Sequence, residues 1–152
     1  MVGVSAGAII LNEKGEVLLV KHTYGVLNWE IPGGAGEPNE SPVETAIREV
    51  WEETGLRVKA VSTTGWYYDP TVDKMGGVFL CEIEDPASDP LVDGAEISKC
   101  RYWPVDALPR PISDWTEMRI RDALTKKPMP LPTIIGPRVW LGNGVDRQKT
   151  LP

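Results

Sequence analysis

Three glutamates, Glu49, Glu52 and Glu53, stand at i, i+3 and i+4. On a helix turning about 100° per residue, those positions share one face. Like charges so placed weaken a helix by a few tenths of a kcal/mol per pair, so a sequence tuned for stability alone would interleave a lysine. Arg48 lies beside the trio and can pair at i±4 with Glu44 or Glu52, but one guanidinium cannot neutralise three carboxylates. A divalent cation can, because hard ions such as Mg2+ take carboxylate oxygens and water and also bind phosphates. A solvated acidic face is the plainer account of three glutamates by themselves. Two neighbouring features weigh against it. Gly33-Gly34-Ala35-Gly36 lets the backbone approach a ligand closely, and a fourth carboxylate, Glu40, comes just before the helix.

The helix that carries the trio is well specified. Ser41-Pro42-Val43-Glu44 reads as a capping box with proline at the first helical position, and Gly55 supplies the stop. A helix over Pro42–Thr54 then turns Val43, Ala46, Ile47, Val50 and Thr54 toward a core, roughly opposite the acidic face. Upstream, residues 4–11 and 16–21 read as strands joined by a turn at Asn12-Glu13-Lys14-Gly15, with a loop over 22–28. Trp29-Glu30-Ile31 is a short strand stopped by Pro32-Gly33-Gly34. Downstream, strands are expected at 57–67, 77–83 and 97–103, separated by polar, proline-bearing loops at 69–76 and 84–96. A second helix is expected over 114–126, spaced through Trp115, Met118 and Leu124. Residues 128–152 hold five prolines and three glycines with little periodicity. They read as a tail or arm, with room for a short strand at 134–141, beside a domain over 1–127.

A chain of 152 residues, 41% hydrophobic and 25% charged, suits one globular domain with its own core. The formal net charge of -6 argues against a broad nucleic-acid surface, which needs clustered Lys and Arg. It does not exclude a small phosphorylated substrate, because bound cations can sit between acidic residues and a polyanion. The two cysteines, Cys81 and Cys100, make no disulfide framework and are expected as buried thiols in a reducing compartment. The N-terminal stretch lacks the basic start of a secretory signal, and no apolar run reaches the roughly 20 residues of a membrane span. A cytoplasmic location is the expectation.

The spacing around the trio resembles the defining box of the Nudix hydrolase family. That box reads Gly, five residues, Glu, seven residues, then Arg-Glu-U-X-Glu-Glu-X-Gly-U, with U a bulky aliphatic. Here Gly34 is followed by AGEPN, Glu40, SPVETAI and then REVWEETGL from Arg48 to Leu56, so all nine fixed positions match. The resemblance implies an α/β (α+β) fold, an α/β/α sandwich of helices around a mixed β-sheet. It implies hydrolysis of a phosphoanhydride in a nucleotide-like small molecule, with Mg2+ or Mn2+ held by Glu49, Glu52, Glu53 and the main-chain carbonyl of Gly34. Arg48 would orient a glutamate, and Glu40 would brace the loop through Arg48. Arg48, Glu52, Glu53 and Glu96 would be the catalytic residues; the general base would be a loop carboxylate, for which Glu96 is the candidate, with Glu52 on the box helix as the competing base. Many relatives are homodimers, so a homodimer is expected.

Substrate contacts are less sharply marked. Lys21, His22 and Lys74 could meet phosphates. Trp29 is a substrate-contact candidate set against structural packing, and one of Trp66, Tyr67 and Tyr68, with Tyr68 the candidate, could stack on a base or sugar, against an equal expectation of core packing. Pro70, fourteen residues past Leu56, resembles a proline of ADP-ribose-hydrolysing members and ranks nucleoside diphosphate derivatives ahead of (deoxy)nucleoside triphosphates. The Tyr67-Tyr68 pair points equally weakly to dinucleoside polyphosphates. Two other readings stand beside this one. A non-catalytic nucleotide sensor would usually lack a box glutamate, and none is missing. An isoprenyl diphosphate isomerase needs a catalytic cysteine, whereas Cys81 and Cys100 fall on expected strands.

Overall fold

The central strand is the most apolar one. In the computed structural model, which describes residues 3–92 and 94–142, β1 (Ser5–Ile10) is buried from Ala6 through Ile10. A near-continuous apolar run of this kind belongs to a strand covered on both faces. Its neighbours are β4 (Gly33–Ala35) on one side and β6 (Lys74–Ile83) on the other, and β5 (Val58–Asp69) completes a sheet of order β4-β1-β6-β5. β1 runs parallel to β6, and the other pairs are antiparallel. A second, antiparallel sheet has the order β3-β2-β7, from β2 (Val17–His22), β3 (Trp29–Glu30) and β7 (Ile97–Trp103). The expected strand set is thus divided between two sheets within a mixed α+β fold.

Two apolar clusters sandwich the four-stranded sheet. Ala6, Ala8, Ile10 and Phe79 pack with Ala46 and Val50 of α1 (Pro42–Thr54). Ile9 and Val78 pack from the opposite face with Ile31, Trp29 and Ile120 of α2 (Asp114–Thr125). The boundaries of α1 follow from its caps. Ser41 Oγ accepts from Glu44 N at 3.2 Å, Glu44 accepts in return from Ser41 N at 3.4 Å, and Gly55 closes the helix at φ 71°.

Three stretches differ from the sequence expectation. The loop expected at 69–76 is mostly hairpin: pairing runs on to Asp69↔Lys74, leaving only residues 70–73 as turn. Gly33–Ala35, read as a turn, is a short strand because β1 supplies a partner. No strand forms over 134–141 among the described residues. The first part of the expected tail does pair: Met129 exchanges both backbone hydrogen bonds with Thr63, at 2.8 and 3.0 Å, and Leu131 packs on the α1-side cluster. Residues 143–152 of that tail lie outside the described residues. Cys81 on β6 and Cys100 on β7 are free thiols, and burial pushes both up to about 12. No helix of the described chain is long and apolar enough to cross a membrane.

Candidate active site

The loop before α1 is tied to the helix through one side chain. Arg48 Nε donates to Glu40 Oε2 at 2.7 Å, and Nη2 donates to Glu40 Oε1 and to the Ala35 carbonyl at 3.0 and 2.9 Å. Nη1 reaches Glu49 at 3.0 Å and Glu52 at 3.1 Å. Glu40 also accepts from Thr45 Oγ1 at 2.6 Å and from Glu37 N at 3.1 Å. With so many donors, its carboxyl is held down to about 2, chiefly by the Arg48 hydrogen bond. Arg48 is correspondingly locked in its charged form by Glu40 and Glu49.

The other end of the helix is not satisfied in this way. Burial along the acidic face is graded: the Glu52 side chain is 52% exposed, Glu49 16%, and Glu53 as a residue only 8%. This is not a solvated charge face. Glu53 receives one backbone hydrogen bond, from Gly33 N at 2.8 Å, and among the described residues no ion pair. Burial pushes it up to about 8, with Glu49, Glu96 and Glu30 adding repulsion. Glu49 is raised as well, first by burial, despite its contact with Arg48. The two glycines of the turn permit this packing. A Cβ on Gly34 would lie 2.6 Å from the Glu49 carboxylate, and one on Gly33 would lie 2.5 Å from the Ala6 carbonyl.

Glu49, Glu52 and Glu53 line a cleft of about 380 Å³ together with Ala95, Glu96 and Ile97. Glu96 comes from the loop before β7, and that loop is pinned by Thr23, whose N and Oγ1 donate to the carbonyls of Glu96 and Ala95. Among the described residues no three such side chains are drawn into a closed ligand set; Arg48 holds Glu49 and Glu52 toward itself, and the carboxylates form the walls of an open cleft. Buried, under-neutralised carboxylates facing open space fit a hard dication, which Glu49, Glu52 and Glu53 could hold, with Gly34 packed against the Glu49 carboxylate.

A second cavity of about 200 Å³ adjoins the Gly33-Gly34 turn on the α2 side of the sheet. His22 lines it and stacks on Tyr24, with centroids 4.7 Å apart and planes 10° apart. Tyr24 is raised by burial and then by Glu53, Glu96, Glu49 and Glu30, which places it in the field of the cleft. Of the other residues singled out in sequence, Trp29 is 6% exposed and packs edge-on against Trp103 at 5.1 Å, inside the core. Lys21 sits beside that ring, with Nζ 6.0 Å from the centroid. Tyr68 is on the β5–β6 hairpin, donating to Asp73 at 2.5 Å, in a groove with Pro70 and Trp115 rather than at the carboxylates. Lys74 pairs with Asp69 at the far end of the same hairpin. Sequence reasoning passed over Tyr24, Glu30 and Arg119. They lie on a loop, a two-residue strand and the second helix, and no local spacing joins them.

The two-faced sheet between helices carries a capped acidic helix whose carboxylates open on a cleft. The family model for the NUDIX domain matches residues 1–123, and the chain belongs to the Nudix hydrolase family. A MutT-like protein of Streptomyces ambofaciens is 31% identical over 121 residues, covering 80% of this chain and 76% of that one. A Bacillus subtilis (strain 168) protein, named provisionally as an 8-oxo-dGTP diphosphatase, is 34% identical over 104 residues, 68% of each chain. Among solved structures, an ADP-ribose pyrophosphatase from Streptococcus suis superposes with a TM-score of 0.67 at 21% identity, covering 84% of this chain and 95% of that one; at that identity the likeness concerns the fold.

Proposed function

We propose that this chain is a pyrophosphohydrolase that depends on Mg2+ or Mn2+ and cleaves a diphosphate linkage in a nucleoside diphosphate derivative. The observation that carries this reading is Glu53: a carboxylate 8% exposed, pushed up to about 8, beside a second raised carboxylate and with no cationic partner among the described residues. Nothing in the packing of α1 calls for such a residue, whereas a dication would stabilise its charged form. When bound, the cation would screen phosphate charge and lower the pKa of water in the cleft.

The side chains divide the remaining work. Glu49 and Glu53, with the Gly34 carbonyl, hold the cation, and Glu52 completes the set from its half-exposed position. Arg48 keeps Glu49 and Glu52 oriented and ties them to the loop. Glu96 takes the proton of the attacking water, because it faces the cleft without an ion pair among the described residues while Glu52 is engaged by Arg48 at 3.1 Å. Glu52 is the alternative base. If Glu96 is the base, Glu96→Gln lowers kcat by about a hundredfold or more, and Glu52→Gln has the smaller effect. The reverse order would assign the role to Glu52.

For the substrate, an ADP-ribose-like compound ranks first. Pro70 supports it: the residue lines the groove that also holds Arg119, and Arg119 borders the cavity next to the carboxylates. Nucleoside triphosphates are the second reading, favoured by the name of the Bacillus subtilis relative. Product identification across ADP-ribose and the common triphosphates, in isotopically labelled water with Mg2+, tests both and shows which phosphorus is attacked. Binding of every nucleotide with release of none would instead make the chain a sensor. A homodimer in the cytoplasm belongs to this reading, and sedimentation of the purified chain checks the first part.

A further inference from the structure

Glu96, assigned above to take the proton of the attacking water, is the last residue of the connection between β6 and β7, which spans 84–96. That connection has little core of its own: Leu91 is 75% exposed, and Ala95 and Glu96 are exposed as well. Two anchors hold its second half. Leu91 N donates to the Thr54 carbonyl at 2.7 Å, one residue past Glu53 at the end of α1. Further along, Thr23 of the β2–β3 loop takes hold twice. Its N donates to the Glu96 carbonyl at 2.9 Å, and its Oγ1 donates to the Ala95 carbonyl at 2.6 Å. Glu96 thus stands between the helix end that carries Glu53 and the end of β2, bordering the cleft it shares with Glu49, Glu52 and Glu53.

The Thr23 anchor sits where the sheet alone would hold weakly. β2 and β7 pair in step as far as Lys21↔Lys99, and the next pair is His22↔Ile97, so Ser98 is the extra residue of a β-bulge. A bulge bends its strand and re-aims the residues beyond it. Here those are Ile97, which turns into the core at 3% exposure, and Glu96, which borders the cleft. Just before them the chain turns at Gly94, at φ 81°. Strand ends secured by few backbone bonds open most readily. The Thr23 hydroxyl adds a second bond at that point, across 72 residues of sequence. Thr23 is itself exposed, so the core does not call for it.

We infer that Thr23 is a positioning residue for the hydrolytic step: its hydroxyl, clasped to the Ala95 carbonyl, fixes where Glu96 presents its carboxylate to the cleft. Thr23 lines neither the cleft nor the cavity beside the Gly33-Gly34 turn, so it acts through Glu96 and not on the substrate. The inference rests on the reading of Glu96 as the base and adds the group that holds it. A general base works only within hydrogen-bond reach of the water it deprotonates, and a misplacement of about 1 Å can cost up to about a hundredfold in rate. Losing the clasp costs less than that. Thr23 N still holds the Glu96 carbonyl, and water can take the place of an exposed hydroxyl. The loss falls on kcat and not on KM, because the groups that meet the substrate stay where they are.

The test uses ADP-ribose and GTP as probes with Mg2+. It compares the wild type with Thr23→Val, Thr23→Ser, Glu96→Gln and the double variant carrying Thr23→Val and Glu96→Gln. Thr23→Val keeps the branched shape and removes only the hydroxyl. It is expected to lower kcat by about fivefold or more, with KM within about twofold of the wild type and an unchanged melting temperature. Thr23→Ser, which keeps the donor, recovers most of the rate. In the Glu96→Gln background, adding Thr23→Val changes kcat by less than about twofold, because residues that act as a unit are not additive. A full further loss there means that Thr23 works through some other group, and overturns the inference. So does a Thr23→Val protein with the wild-type kcat beside an impaired Glu96→Gln. If Glu96→Gln keeps the wild-type rate, the assignment of the base fails and the inference with it. If the wild type turns over neither probe, the hydrolase reading fails and takes both down.

Discussion

Two carboxylates within one loop–helix unit are driven in opposite directions. Glu40, at the loop end, collects hydrogen bonds from Arg48, Thr45 and Glu37 and sits at about 2. Glu53, at the cleft end, has one amide donor and three like-charged neighbours, Glu49, Glu96 and Glu30, and sits at about 8. Both are glutamates of the same loop–helix unit, Glu40 just before α1 and Glu53 in its last turn, so the difference comes from placement. At the loop end the folded chain supplies every partner that the charge needs. At the cleft end it supplies burial and leaves the charge to be met from outside. A structural carboxylate and a ligand-holding one can be separated on that ground alone.

The largest effect is expected at the cleft end. Glu53→Gln should lower kcat by about a thousandfold, while the protein in chelator-treated buffer at pH 8 melts no lower than the wild type, because a buried charge has been removed. A variant that kept its activity would break the comparison. At the loop end the order is reversed. Arg48→Ala strands the Glu40 charge and should cost about 2–3 kcal/mol in urea unfolding, with lost activity following from the loosened loop.

The two turn glycines sharpen the contrast. Gly33→Ala drives a methyl against the β1 backbone and should destabilise by about 1–3 kcal/mol. Gly34→Ala meets only the movable end of Glu49. It should leave unfolding nearly unchanged and weaken cation affinity about tenfold or more, as displaced supporting groups do.

The smallest effects are those of pH, and they have opposite signs. Glu40 is depressed in the fold, so its contribution is present above the ordinary carboxylate range. It is lost as pH falls from about 4.5 to about 2, a change of about 1–2 kcal/mol after allowance for solvent screening. Glu53 is raised in the fold, so its contribution is complete below pH 4.5 and is lost as pH rises through about 8. Cation-free melting curves should decline across that upper window, flatten in Glu53→Gln, and recover when Mn2+ is added. Glu40→Gln should flatten only the acid limb.

The box was legible in the sequence because everything that builds it is local. Ser41, Pro42 and Gly55 set the ends of α1, and the spacing of Glu49, Glu52 and Glu53 follows from one helical repeat. The β5–β6 hairpin was legible only in part. Asp69, Pro70 and Asp73 look like loop, and the pairing that extends the strands to 69 and 74 lies across the turn. Gly33–Ala35 has no strand propensity and pairs only because β1 is there to receive it. The cavity beside the Gly33-Gly34 turn was not legible at all. Tyr24, Glu30 and Arg119 meet only through the packing of α2 against the sheet, and Trp29, conspicuous in the sequence, is consumed by the core.

The most direct test is calorimetric titration of the cation-free protein with Mn2+ at pH 7, repeated in buffers of different ionisation enthalpy to count protons. If Glu53 is mainly protonated until a cation arrives, binding releases roughly one proton, and Glu53→Gln releases none. Tight uptake with no proton release, or no uptake in the wild type, would contradict the account.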